Sequence, residues 1–231
     1  MSCATVIELG KSAAQLRVEI DPPRAHGAEA QIDRRWSELC AANPRLFNGR
    51  ILAFLGADLG ANVIRARVDE YKRMAVQPEI DTGVIQFGVT GLLTAEKPRL
   101  VLLGKRSGQT HVHPGRWELA PSGGVDAPDD HRRTLLIEDL HRQIAREVAE
   151  EIGSSVPMRA RPIALCHDPV APSTDVIFDI ALDAPVPPAG NWEYDELAWV
   201  PIDNLAFELR ARNIDLIAPS RAVLQWRRWL P

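Results

Sequence analysis

Apolar and polar residues alternate near the start of the chain, in ATVIEL (residues 4–9) and AQLRVEI (14–20). A period of two predicts short strands with one buried face. Asp21–Pro23 breaks the second. Ile32, Trp36, Leu39 and Cys40 then recur at helical spacing, and that rhythm stops near Pro44. RILAFLGADLGANVIRARV (50–68) predicts two strands around a glycine-bearing turn. Beyond Gln77 the texture changes. TGVIQFGVTGLL (82–93) and RLVLLGKRS (99–107) are dense enough in apolar residues to be central strands. HPGRWELAPSGGVDAPDD (113–130) predicts a loop. A helix is expected over Arg133–Ile152, where Ile137, Leu140, Ile144, Val148 and Ile152 form one apolar stripe. Strands in PIALCHD and TDVIFDIAL, a loop in APVPPAGNWEYDE, a strand in LAWVP and helical segments from about Asp203 and Asn213 complete the pattern. The mixture predicts an α/β sandwich with helices on a mixed sheet. The change near Gln77 divides it into an N-terminal α+β subdomain, 1–77, and a main domain, 78–231.

Composition narrows the function. A chain of 231 residues, 45% hydrophobic and 25% charged, can fill a real core. Its net charge of −4 gives no footprint for gripping nucleic acid. Cys3, Cys40 and Cys166 are scattered, without zinc or disulfide spacing, as expected of reduced thiols. No secretory pattern opens the sequence and no apolar run is long enough for a bilayer, so a cytoplasmic protein with no membrane partner is expected.

The helix ends in REVAEEIG (146–153), with Glu150 three residues and Glu151 four residues beyond Glu147. On a helix those spacings make neighbours. Like charges repel, and the helix C-terminus adds partial negative charge of its own. Either Arg142 and Arg146 lace a solvated surface, or a hard cation sits among the acids. Magnesium, with its preference for carboxylate, phosphate and water oxygens, suits the second reading.

The surrounding pattern favours the cation. Glu138 is followed by seven residues and then Arg146, REVAEEIG follows without a slip, and PSGGVD lies upstream. This closely resembles the Nudix box. Thirteen residues separate Gly124 from Glu138 where the family has five, and Ser154 stands where an apolar residue usually closes the box. The resemblance implies a Nudix-type α/β/α sandwich and metal-dependent hydrolysis of a nucleoside diphosphate linked to another moiety. It implies that Glu147, Glu150 and Glu151 hold Mg2+ or Mn2+, helped by the Gly124 carbonyl, that Glu138 and Arg146 orient them, and that Glu147 or a loop acid serves as base. Among Glu193, Asp195 and Glu196, Glu193 is the first choice for that acid and Glu196 the reserve. Many relatives pair as dimers, so a homodimer is compatible with the resemblance.

NPRLFNGRILAF, DEYKRM and the long PSGG insertion are similar in layout to a UDP-sugar diphosphatase branch, which releases UMP and a sugar 1-phosphate. Phe47 and Tyr71 could then line a nucleotide pocket or pack the subdomain. Trp117 could stack on a base or sugar, or anchor the loop in the core. Arg106 and Arg116 could reach phosphate or remain surface charges. His111 and His113 lack the further ligands of a zinc site, and RAVLQWRRWLP (221–231) is a packing helix or a partner-binding one. Two rivals stand beside hydrolysis. An isopentenyl diphosphate isomerase would need an active cysteine, for which neither Cys40 nor Cys166 has a motif. A catalytically idle Nudix domain would bind a nucleotide or protein as a sensor, but such domains usually lose box acids that this chain retains.

Overall fold

The computed structural model describes residues 3–77, 79–129, 132–153 and 159–231. Ser154 and part of the insertion, Asp130 and His131, lie outside the described residues. The alternating N-terminal runs form β1 (Thr5–Glu8) and β2 (Arg17–Asp21). The helical stretch is α1 (Glu29–Ala42), and the glycine turn joins β3 (Arg50–Asp58) to β4 (Val63–Glu70). A short α2 (Tyr71–Ala75) leads to β5 (Gln86–Ala95) and β6 (Leu100–Arg106).

The stretch 113–130, expected to be loop throughout, contains two strands: β7 (Trp117–Leu119) and β8 (Ser122–Gly124). The expected helix at 133–152 is also redrawn. Thr134–Leu136 is β9, α3 covers Ile137–Glu147, and Val148–Ile152 is a π-helical turn. Leu135 and its neighbours pair with β2, which delays the helix. Asp139 then caps it by accepting the Leu136 N–H at 2.8 Å. Gly153 ends the π turn at φ 71°, a conformation costly for a residue with a Cβ. β10 (Arg159–Asp168), β11 (Ser173–Leu182), β12 (Tyr194–Pro201), α4 (Leu205–Ala211) and α5 (Ala218–Trp226) follow as expected in kind.

The strands form one mixed sheet ordered β1-β10-β11-β5-β3-β4-β2-β9, with β8 on β5 and β6 joining β5 to β7 and β12. β11 runs parallel to β5, and β2 parallel to β4. Neighbouring strand residues face opposite ways. Leu93, Leu102 and Phe178 pack with Leu140, Ile144, Val148 and Ile152 of the α3 segment. Leu92, Leu103 and Ile177 pack with Leu205, Leu209, Val223 and Leu224 of α4 and α5. The sheet therefore lies between two helical layers, and the α/β sandwich expected from the sequence is the observed fold. Among the described residues no helix is long and apolar enough to cross a membrane.

Two features tie the N-terminal elements to one another. Asp69, fully buried, accepts bonds from Arg67 at 2.8 Å and Arg73 at 2.9 Å, which fixes α2 on β4. Asn48 accepts the Lys72 N–H at 2.9 Å, tying the segment after α1 to α2.

Candidate active site

Gln143, Glu147 and Glu151 follow one another at four-residue intervals and lie with the apolar stripe on the buried side of the helix. Glu151 is only 2% exposed and accepts the Ser122 N–H at 3.1 Å. Glu147 accepts a bond from Gln143 and lies against Gly123, where a methyl group would come within 2.6 Å of both its carboxylate oxygens. Glu150, on the rim, keeps 61% of its side chain exposed. Arg146 donates to Gln143 at 2.8 Å and Asp126 at 2.5 Å, and its Nε lies 3.8 Å from Glu150. It neutralises the outer edge of the acid group and holds Gln143 toward Glu147.

These groups line a cleft of about 870 Å3, whose other walls come from the segment after α1, the 107–113 loop, the ends of β10 and β11, and Trp192–Glu193. Burial pushes the Glu147 carboxyl up to about 7; Gln143 and Arg146 oppose the shift, while Glu150 and Glu193 add to it. Burial, then the Glu193 charge, holds Glu151 well above the carboxylate range. Glu193 is itself raised by burial, opposed by Arg106. Uncompensated negative charge has thus been gathered in a poorly hydrated place.

Of the residues singled out from the sequence, the cleft lining brings together Phe47, Tyr71, Arg106, Gly124, Arg146, Glu147, Glu150, Glu151 and Glu193. Asp195 and Glu196 do not reach it, and neither do Glu138, Trp117 and Arg116. Glu138 lies beside Thr134, Leu136 and Arg142 in a separate surface hollow, because it points outward from the first turn of α3. Trp117 is buried in the core under α4 and α5, so it is a loop anchor rather than a stacking platform. Arg116 is turned to Asp215 at 2.9 Å and the Leu216 carbonyl at 2.9 Å. Arg116→Ala is therefore expected to leave turnover within about twofold of wild type and to cost at most about 1 kcal/mol in thermal unfolding, as for an exposed pair.

Arg106 reaches the cleft already engaged. Its Nη1 donates to Glu118 at 2.6 Å and its Nε to the Val112 carbonyl at 2.8 Å. Glu118, which the sequence reading passed over, is buried and also accepts from Tyr194 at 3.0 Å and Ser122 at 3.3 Å. Ser122 thus links Glu118 through its hydroxyl to Glu151 through its N–H. Asp168, buried at the end of β10, takes His113 at 3.3 Å, and Asp175 takes Thr90 at 2.8 Å.

The sequence matches the NUDIX domain family over residues 84–219. The chain belongs to the Nudix family of diphosphate hydrolases. Solved structures of similar fold include the NUDIX domain of Shewanella oneidensis NrtR complexed with ADP ribose, at 17% identity, 66% coverage of this chain, 94% of that one and a TM-score of 0.44. A NUDIX hydrolase from Alicyclobacillus acidocaldarius is 17% identical, with coverages of 61% and 90% and a TM-score of 0.45. A C. elegans Ap4A hydrolase is 13% identical, with coverages of 61% and 94% and a TM-score of 0.41. No curated protein matches the sequence.

Within this Nudix domain the long insertion after Gly124 has a structural use: it supplies Asp126 to Arg146 and β9 to β2. The glycine that meets an acid is Gly123; Gly124 is paired with Gly88 and faces Gln86. Nudix hydrolases generally use a divalent metal. The acids that line the cleft, Glu147, Glu150, Glu151 and Glu193, offer carboxylate oxygens, the chemistry that suits a hard cation. The upward shifts of Glu147 and Glu151 are the mark of charge that a cation would relieve. Among the described residues no three His, Cys, Asp or Glu side chains are gathered onto one point, and Glu150, 61% exposed, is free to turn toward the others.

Proposed function

We propose that this Nudix protein hydrolyses a nucleoside diphosphate linked to another moiety, specifically a nucleotide sugar such as UDP-glucose, giving UMP and a sugar 1-phosphate. The observation that carries the reading is the shared cleft: Glu147, Glu151 and Glu193 line it together with Phe47 and Tyr71 from the N-terminal part. Residues 1–77 act in this reading as a subdomain that completes the substrate site of 78–231. The likeness of NPRLFNGRILAF and DEYKRM to the UDP-sugar branch supports the choice of substrate.

Glu147, Glu150 and Glu151 would hold Mg2+ or Mn2+, with the Gly124 carbonyl as a further donor. The metal would neutralise diphosphate oxygens and increase the acidity of a bound water. A new bond forms from water to one phosphorus as the bridging P–O bond breaks. Glu147 is placed to take the water's proton at the oxygen that Gln143 leaves free. Glu193 is the second candidate for that proton. Arg146 keeps Gln143 aligned on Glu147, and Arg106 balances Glu118 rather than binding phosphate as its first task. The net charge of −4 and the three free cysteines support a cytoplasmic protein that does not bind nucleic acid; a homodimer is the assembly carried over from relatives.

A product-identified assay across nucleotide sugars tests the reading. ADP ribose and Ap4A, the compounds named with two of the similar structures, belong in the same panel. UDP-sugars are expected to be cleaved with Mg2+ and spared with a chelator. Binding without cleavage under any divalent metal would favour the sensor. Stability gives an independent check. A carboxyl whose folded pKa is raised is easier to protonate in the folded state than in the unfolded chain. The metal-free protein should therefore lose thermal stability as pH rises from about 4.5 through about 7. Glu147→Gln should flatten that slope, and Mg2+ at pH 8 should raise Tm.

A further inference from the structure

The turn before β12 sends two adjacent side chains to different places. Asn191 accepts the Glu193 N–H at 2.8 Å, and the Ser107 N–H donates to the Glu193 carbonyl at 2.7 Å. Glu193 is thereby held inside, close enough for its charge to act on Glu147 and Glu151. Trp192 is left on the rim, 53% exposed. Across the mouth, the Arg45 guanidinium lies 5.5 Å from the Trp192 ring centroid. Arg45 is itself held in place, because its N–H donates to Asn43 at 3.1 Å and Asn43 donates to the Gln109 carbonyl at 3.2 Å. Phe47, 79% exposed, follows on the same segment. All three line the cleft that holds the acids.

We propose that Trp192 and Arg45 form the subsite that receives the nucleobase of the substrate. This rests on the diphosphate-hydrolase reading and deepens it. The base stacks on the Trp192 indole, and Arg45, whose guanidinium 5.5 Å from the ring centroid is too near for a base to enter between them, moves to its edge and offers N–H groups to its carbonyls. Trp192 lines the same cleft as Glu147, Glu151 and Glu193, so a nucleotide stacked on it keeps its phosphates in the cleft that holds the acids. The subsite also gives the N-terminal segment a direct task, since Arg45 and Phe47 come from it and Trp192 from the Nudix domain.

The test is calorimetric binding of UMP, AMP and glucose 1-phosphate, without metal, to wild type, Trp192→Ala, Trp192→Phe and Arg45→Ala, with thermal melting as a control on folding. Trp192→Ala is expected to weaken UMP or AMP by at least about tenfold, in keeping with alanine substitution of a base-stacking ring. Trp192→Phe should restore binding to within about threefold, Arg45→Ala should weaken it by about three- to tenfold, and glucose 1-phosphate should be unaffected. Unchanged nucleotide binding in Trp192→Ala overturns the proposal. So does a loss confined to glucose 1-phosphate, or a wild type that binds neither nucleotide. A wild type that binds UMP through Trp192 but never cleaves a nucleotide sugar removes the nucleotide-sugar reading and leaves the base subsite standing.

Discussion

Glu151→Gln is expected to lower kcat by on the order of 10²–10³-fold, the loss usual when one preorganised electrostatic partner of a transition state is removed. The substitution is close to isosteric. The Gln carbonyl can still accept the Ser122 N–H that Glu151 accepts at 3.1 Å, so the helix and the β8 strand keep their contact. What disappears is a negative charge in a nearly dry position, where burial and Glu193 already disfavour it. The metal-free variant should consequently melt no lower than wild type at pH 8, and its melting temperature should respond less to Mg2+. Loss of turnover with stability retained would tie Glu151 to the chemistry. Near-normal turnover would remove it from the site.

The second large effect is expected from Gly123→Ala. The new methyl would sit 2.6 Å from both oxygens of Glu147, closer than atoms without a hydrogen bond tolerate. Glu147 cannot simply retreat, because Gln143 holds one oxygen and the helix behind it is packed through Ile144 and Val148. Displacing a reacting group by about 1 Å can cost 10²-fold, and a loss of that order in kcat is expected, with about 1–3 kcal/mol of destabilisation from overpacking. Gly124→Ala provides the contrast. Its methyl would meet only the end of the Gln86 side chain, which can swing aside, so a loss of under about fivefold is expected if position alone matters. Steady-state kinetics with urea unfolding of the two variants would separate these cases; equal effects would mean that closeness to Glu147 is not what Gly123 provides.

The parts of the molecule that sequence made legible are those whose information is local. Val89, Val101, Val176 and their neighbours mark central strands by apolar density, and all three are fully buried. Glu147 and Glu151 stand out because repulsion at four-residue spacing needs an explanation wherever the helix lies. β7 and β8 were missed because three residues are too few to display a period. The π-helical turn was missed because apolar spacing at Val148 and Ile152 is the same for an α-helix. For Trp117 and Arg116 the sequence leaves two readings open, because residues just before the PSGG loop can face either the substrate or the core. On a strand, however, neighbours face opposite ways, and it is Glu118 that turns to the cleft while Trp117 enters the core. Glu118 had no local signal at all: its partners Arg106 and Tyr194 stand 12 and 76 positions away. Trp192 was passed over for a similar reason, since its relation to Arg45 exists only after the chain has folded.

The pairing of β1 with β10, of β3 with β5 and of β9 with β2 laces the first third of the chain into the rest at three seams. Severing the polypeptide after residue 77 would strip a neighbour from each seam and leave raw strand margins, which invite other chains to add themselves. A fragment trimmed to the catalytic box and its immediate surroundings would therefore be prone to clump, whatever chemistry its glutamates retained.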